Sequence, residues 1–197
     1  MRGTSIIVNA AGAWGDEVAR LAGLGGVGLV PMRRTAALVD PPPGAGIHTW
    51  PFVIDAAETV YFKPDAGLLL ASPADETPLP PHDVQPEELD VAIGIDRLQA
   101  LAEIPVRSIR RSWAGLRSFV ADRNPVVGFD PGSPRFFWFV GQGGYGIQLA
   151  PSLAETAAAL LLGVALPDTV SAAGIDPSCL SPARACLKAD GTGQVCP

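Results

Sequence analysis

A glycine-rich segment between an aromatic run and a long apolar run constrains the fold of this chain most strongly. The pattern G-x-G-x-x-G at 141–146 follows the run 136–140, which is typical of a buried strand. It precedes the apolar run 152–166, which predicts a helix. Such a strand–turn–helix unit directs backbone N–H groups toward an anionic or electron-rich ligand. Glycine turns of this kind also occur without a ligand, so both interpretations stay open.

The same glycine pattern occurs earlier, at 23–28, in a different context. A predicted helix precedes it and a predicted strand follows, which is the reverse of the dinucleotide-binding arrangement. Glycine at the end of a helix favours a left-handed cap. We therefore interpret 23–28 as a helix terminus and not as a nucleotide site.

The order of apolar runs and turn signals predicts an α+β fold, with a mostly antiparallel sheet, flanking helices and a partial strand–turn–helix layer. The layer consists of a strand at 5–9, a small-residue turn, and a helix at 16–24 with Asp16 as its N-cap. A second helix is expected at 86–103, where a proline and two glutamates open the run. The remaining strands are expected at 27–32, 35–39, 53–54, 59–62, 68–71, 106–109, 116–120, 126–129 and 136–140, with a hairpin turn at 65–67 and a loop at 73–86.

Composition argues against several classes of function. Hydrophobic residues make up 48% of the 197 residues and charged residues 17%, as in a globular protein with a substantial core. The net charge of −6 disfavours nucleic acid as a partner, because phosphate binding needs clustered lysine and arginine. The longest apolar stretch, 156–167, is too short to span a bilayer, and the start does not resemble a signal peptide. These features predict a cytoplasmic protein without a membrane span.

The three cysteines, Cys179, Cys186 and Cys196, all lie near the end of the chain. Their odd number and their spacing do not predict a disulfide framework. The two histidines, His48 and His82, lie far upstream, so no metal site is expected.

Arginines interrupt two otherwise apolar segments. Arg117 lies within one predicted strand, and Arg33 and Arg34 stand next to each other in another segment. Adjacent strand residues point to opposite faces, so only one of Arg33 and Arg34 can face inward. A buried guanidinium needs an anionic partner, which a substrate carboxylate could supply in a bidentate pair. The alternative, which spacing alone favours, is that these arginines are exposed or paired with acidic side chains. The acids considered are Asp40, Glu58 and Asp122.

Three segments that occur in order resemble the C-terminal half of the FAD-dependent D-amino-acid oxidase superfamily. They are IVNAAGAW at 7–14, WAGLR at 113–117 and GQGGYGIQLAP at 141–151. Further similar stretches are RRTA at 33–36, KPDAG at 63–67, HDVQPE at 82–87 and RSFVAD at 117–122. The resemblance extends from about residue 6 to residue 166 and is strongest to the bacterial D-arginine dehydrogenases. Several motifs in a fixed order make it more specific than either glycine pattern.

This resemblance implies a set of site residues. Arg117 would bind the substrate carboxylate, with the hydroxyl of Tyr61 as a second donor and Arg34 lining the same pocket. Gln148 would lie near the reacting centre. The flavin of FAD would lie along the glycine turn, and its contacts would be Gly143, Gly144, Tyr145, Gly146, Ile147 and Gln148. The implied activity is oxidation of the CH–NH2 group of a D-amino acid by hydride transfer to the flavin, and no side chain is assigned as a catalytic acid or base.

The resemblance also implies how the chain is organised. Residues 1–26 would be a remnant of the FAD-binding layer, 27–130 the substrate-binding domain, 131–167 the returning FAD-binding strand and helix, and 168–197 a tail unlike the family. The family's N-terminal strand, glycine turn and helix, which seat the FAD diphosphate, are not recognisable. An N-terminal FAD-binding half is therefore an expected partner, and the isolated chain is expected to bind FAD poorly. A non-enzymatic remnant and an amine oxidase of glycine- or sarcosine-oxidase type stay open as alternatives.

Overall fold

A computed structural model describes residues 5–187. The described residues divide into two compact units, one formed by residues 5–31 together with 117–187, the other by residues 32–116. The described residues form, in chain order, β1 (Ile7–Asn9), α1 (Gly15–Leu21), β2 (Val30–Val39), β3 (Val53–Ile54), β4 (Tyr61–Asp65), β5 (Leu68–Ser72), β6 (Thr77–Pro78), α2 (Glu88–Ala102), β7 (Ile109–Phe119), β8 (Val126–Asp130), β9 (Ser133–Val140), α3 (Gly146–Leu162) and α4 (Asp168–Ala172).

The first unit is built on a three-stranded sheet in the order β1-β9-β8. β1 runs parallel to β9, and β8 runs antiparallel to it. Phe136, Phe137 and Trp138 of β9 are all buried although consecutive strand residues point to opposite faces, so both faces of this strand are covered. One face packs against Ala19 of α1 and the other against Leu153 of α3.

β1 lies at the edge of this sheet and is poorly covered. Ile7 is 52% exposed and Val8 is 48% exposed. An edge strand presents backbone N–H and C=O groups that can pair with another strand. The strand expected at 5–9 is therefore present as an edge strand with two half-exposed apolar side chains.

The second unit contains an antiparallel sheet in the order β3-β4-β5-β2-β6, and β7 also pairs with β2. Asp65 pairs with Leu68 across the turn, and Ala66 and Gly67 both have positive φ, as in a two-residue hairpin. The predicted hairpin is thus confirmed. One face of the sheet packs against α2 in a core that contains Val39, Ile47, Phe62, Leu69, Ala71, Leu98 and Ile104.

The predicted α+β class is confirmed, but several element bounds were wrong. β2 is one strand where two were expected, because the charged side chains at 33 and 34 find partners on either face of it. β7 likewise joins two expected strands. α3 begins at Gly146, directly after the glycine turn, and ends before Gly163, whose φ of +64° caps it. The expected loop at 73–86 contains the two-residue strand β6.

Two local predictions near α1 had different outcomes. Asp16 was expected to cap the helix, but α1 begins at Gly15, and the Asp16 carboxylate accepts hydrogen bonds from the N–H groups of Val27, Gly28 and Leu29. Asp16 therefore closes the following loop instead of capping the helix. The interpretation of 23–28 as a helix terminus is confirmed, since Gly23 follows the C-cap residue with φ +76°.

The segment after α3, identified in the sequence only as a tail, has secondary structure of its own. It contains α4 and two turns of 3-10 helix, at Pro177–Leu180 and Ala185–Leu187. Leu180 is buried against Phe137 and Leu153. Cys179 is exposed, while the thiol of Cys186 donates to Asp122 at 3.0 Å. Cys196 lies outside the described residues.

Candidate functional site

The glycine turn between β9 and α3 has the backbone geometry that only glycine adopts readily. Gly141 has φ +74° and Gly143 has φ +54°. Tyr145, the N-cap residue of α3, makes no side-chain capping hydrogen bond. The first N–H groups of a helix have no partner within it, so this terminus can donate to an electron-rich ring edge.

The end of β7 packs directly on this turn. The N–H of Gly143 donates to the carbonyl of Ser118 at 3.1 Å. A side chain at Gly143 would overlap the ring of Phe119, and one at Gly144 would lie 3.0 Å from Nη1 of Arg117. Residues 117 and 119 share a face of the strand, so this face supports the turn and brings the Arg117 guanidinium beside Gly144.

Arg117 is half-buried and has neither a hydrogen bond nor an ion pair with any residue in the described range 5–187. Two of the three acids considered as its partners are engaged elsewhere: Asp40 pairs with Arg110, and Asp122 pairs with Arg184. A partly desolvated guanidinium without an anion can bind a carboxylate from solution in a bidentate pair.

Arg33 and Arg34 lie on opposite faces of β2, as strand alternation predicts. Arg33 is the inward one, and it pairs with Glu87 at 3.0 Å and with Asp90 at 2.6 Å, both near the start of α2. Arg34 donates from Nη2 to Glu76 at 3.0 Å. The partners differ from the acids considered in the sequence, because they come from a loop and a helix that no local pattern connects to β2.

Tyr61 is the first residue of β4, and its ring centroid lies 5.3 Å from that of Phe52. The register pairs Tyr61 with Ser72, and Leu70 with Leu38. Residues opposite each other share a face and residues two apart do so too, so Arg34 and Tyr61 lie on the same face, away from α2. The structure thus places these two predicted site residues on one side of the sheet in the second unit.

The remaining predicted residues lie in the first unit. Tyr145 is 57% exposed, Ile147 is 96% exposed and Gln148 is exposed. A mainly apolar cavity of about 400 Å³ lies next to them. It is lined by Phe139, Gln142, Gly146, Ile147, Ala150, Leu153 and Ala154. The first turn of α3 thus presents uncovered apolar and polar surface.

A second buried ion pair was not foreseen. Arg184 forms a bidentate pair with Asp122, at 2.7 Å and 2.8 Å. Burial would raise the pKa of Asp122, but the hydrogen bonds from Arg184 and Cys186 outweigh it and lower the pKa to about 2. This pair fastens the segment after α3 to the turn between β7 and β8.

A family model described as FAD-dependent oxidoreductase, the DAO family, matches residues 2–160. The chain belongs to this family. Two curated relatives carry the name FAD-dependent oxidoreductase domain-containing protein 1. The protein from Xenopus laevis is 29% identical over 177 aligned residues, and that from Bos taurus is 28% identical; each alignment covers 80% of this chain and 35% or 36% of the relative. The chain therefore spans about a third of the length of these relatives.

Solved structures show the same fold. Glycine oxidase from Geobacillus kaustophilus superposes with a TM-score of 0.72 at 22% identity, over 91% of this chain and 45% of that one. L-Proline dehydrogenase from P. horikoshii gives a TM-score of 0.72 at 24% identity, over 90% and 46%. The DAO family is thus established, whereas a particular closeness to D-arginine dehydrogenase stays a prediction.

The cofactor implied by the family is FAD, and the described residues fit its flavin end. The turn is kept free of side chains at Gly143 and Gly144, and the helix N-terminus behind it has no side-chain cap. Within residues 5–187, no helix is long and apolar enough to cross a membrane. No group of three or more histidine, cysteine or acidic side chains in that range could hold a metal ion.

Proposed function

We propose that this chain supplies the substrate-binding part of an FAD-dependent oxidoreductase that oxidises the CH–NH2 group of D-amino acids to imino acids. The observation that carries the proposal is Arg117, a half-buried guanidinium without a partner among the described residues and in contact distance of the glycine turn. An amino acid whose carboxylate binds there lies next to the surface where the family's flavin is expected.

The protein residues act by orientation. Arg117 binds the substrate carboxylate, and the Tyr61 hydroxyl donates a second hydrogen bond to it. Arg34, which forms an ion pair with Glu76 at 3.0 Å, is proposed to line the pocket. Holding the carboxylate fixes the direction of the α-carbon C–H bond, and such positioning accounts for much of the rate in reactions of this kind.

Bound FAD would supply the acceptor for the hydride that leaves the substrate α-carbon, and the imino acid product would be hydrolysed by water to a 2-oxo acid and ammonia. We propose Gly143, Gly144, Tyr145, Gly146, Ile147 and Gln148 as its contacts in this chain. The turn and the first N–H groups of α3 stabilise negative charge at the edge of the ring. Gln148, exposed on the first turn of α3, is proposed to reach the reacting centre.

The test is reconstitution. The chain is co-expressed with an N-terminal FAD-binding half from the family, and flavin absorbance and D-alanine-dependent dye reduction are measured. We expect yellow protein and activity. In Arg117→Ala the flavin should be retained, and kcat/KM for D-alanine should fall by an amount equivalent to about 2–4 kcal/mol of transition-state stabilisation, as for removal of a buried charged contact. Arg110→Ala, which removes a surface arginine paired with Asp40, is the matched control and should leave kcat/KM unchanged.

A glycine-oxidase-like activity is the second candidate, because glycine oxidase from Geobacillus kaustophilus shares the fold at a TM-score of 0.72. The same assay with glycine and sarcosine separates the two. Higher kcat/KM for these than for D-alanine would replace the D-amino-acid proposal. Absence of flavin absorbance with any such half would instead favour a non-enzymatic role.

A further inference from the structure

Arg34 is held by a loop, and this loop has its own anchor. Nε of Arg34 donates to the backbone carbonyl of Asp75 at 2.8 Å, and Nη2 donates to Glu76 at 3.0 Å. Both acceptors lie in the connection between β5 and β6. Nε and Nη2 lie on one edge of the planar guanidinium, so these two hydrogen bonds fix its orientation. The position of the connection therefore determines how Arg34 is oriented.

Asp75 anchors the connection to β2. Its carboxylate accepts from the N–H of Thr35 at 2.6 Å and from the Thr35 hydroxyl at 2.9 Å. Its side chain is 8% exposed, and Nε of Arg33 lies 3.6 Å from it, close enough for charge attraction but too far for a hydrogen bond. The side chain of Asp75 thus faces β2, while its carbonyl faces Arg34.

Neighbouring residues fix the same connection from its other end. Ala74 adopts a left-handed backbone with φ +53°, and its N–H donates to the Ser72 hydroxyl at 3.1 Å. Arg97 of α2 donates to the carbonyl of Pro73 at 3.1 Å. A backbone in this conformation persists only where its surroundings hold it. The carbonyl that receives Arg34 is therefore built into the fold.

We infer that Asp75 is a positioning residue for Arg34, acting through its own backbone carbonyl and through Glu76, without touching the substrate. The inference rests on the proposed function in one respect, that Arg34 lines the substrate pocket. Arg33 belongs to the same device, because it balances the buried carboxylate of Asp75 and links it to Glu87 and Asp90. Arg33 thus helps to hold Asp75 in place, and Asp75 in turn orients Arg34.

The test uses the 197-residue chain and the variant Asp75→Asn, with Asp90→Asn as matched control. Both changes remove a carboxylate from Arg33, but only the first alters the anchor that holds Arg34. The readout is solvent exchange of the Arg34 Nε–H, followed by NMR and assigned with Arg34→Lys. We expect exchange about tenfold faster in Asp75→Asn, as for loss of one hydrogen bond, and no change in Asp90→Asn. Equal exchange in both variants would overturn the positioning role.

A second, more conservative variant keeps the test valid if Asp75→Asn fails to fold. Thr35→Val removes the hydroxyl donor to Asp75 while it keeps the buried shape and the backbone N–H, and it should give an intermediate exchange rate. D-Alanine titration of the same proteins then tests the link to function. Affinity should fall in Asp75→Asn and not in Asp90→Asn. If affinity falls only in Arg117→Ala, the role of Arg34 in the pocket is refuted while the proposed function stands; if Arg117→Ala binds normally, the proposed function fails.

Discussion

Gly143→Ala tests the packing of the glycine turn against β7. The change adds one methyl group where φ is +54°, which costs about 1–2 kcal/mol for a residue other than glycine. The new Cβ would overlap Cε1 of Phe119 and lie 2.8 Å from Cδ1. This ring is only 4% exposed and has the Arg123 guanidinium 4.0 Å from its centroid, so it has little room to move. Overpacking of this kind costs about 1–3 kcal/mol, which brings the expected total to about 2–5 kcal/mol.

The assay is urea unfolding of the 197-residue chain, with Gly163→Ala as matched control. Gly163 has φ +64°, but a Cβ there would meet nothing within 4 Å, so only the backbone cost applies. In a Phe119→Leu background, Gly143→Ala should lose part of its cost, because the smaller side chain leaves space for the methyl group. If Gly143→Ala destabilises no more than Gly163→Ala, the proposed contact between β7 and the turn does not exist.

Three further predictions concern stability, each measured by urea unfolding. Because the pKa of Asp122 is lowered to about 2, its pairing contributes about 2 kcal/mol to the free energy of unfolding above pH 5, and this contribution is lost as the pH falls from about 4 to 2. Asp122→Asn should lack this loss of stability in acid. An unchanged dependence of the unfolding free energy on pH in the variant would refute the prediction. Leu180→Ala should cost about 2–4 kcal/mol by opening a cavity, whereas Cys179→Ala on the surface should cost almost nothing; equal effects would show that the tail is not packed. A glycine-to-alanine change within a helix normally stabilises a protein by about 1 kcal/mol. Gly94→Ala should destabilise it instead, because the new Cβ would lie 2.9 Å from Pro73. A gain in stability would disprove that contact.

Local sequence patterns were sufficient for some of the elements and for the opposite orientations of Arg33 and Arg34. Apolar periodicity predicted α2 to within two residues at its start, and the turn at 65–67 was recognised from its residues. Alternation along a strand predicted that only one of Arg33 and Arg34 faces inward. These inferences depend only on residues that are close together in the sequence.

The partners of charged groups could not be predicted in the same way. Arg33 binds acids 42 to 57 positions away, and Arg184 binds Asp122, 62 positions away. Pairing over such distances depends on how loops pass over the sheet, which no short pattern encodes. The helix expected at 152–166 begins earlier, at Gly146, and runs through Pro151.

The contrast between Arg34 and Arg117 follows from these distant pairings, and we expect the two arginines to behave differently toward a carboxylate. A carboxylate that approached Arg34 would meet a guanidinium whose charge is already shared with Glu76, and the two anions would repel each other. At Arg117 no acidic side chain among residues 5–187 competes, so the same carboxylate gains the full charge-assisted pair. A substrate with one carboxylate should therefore bind with that group at Arg117. For Arg34, we therefore expect the orientation set by Asp75 and Glu76 to matter more than its charge.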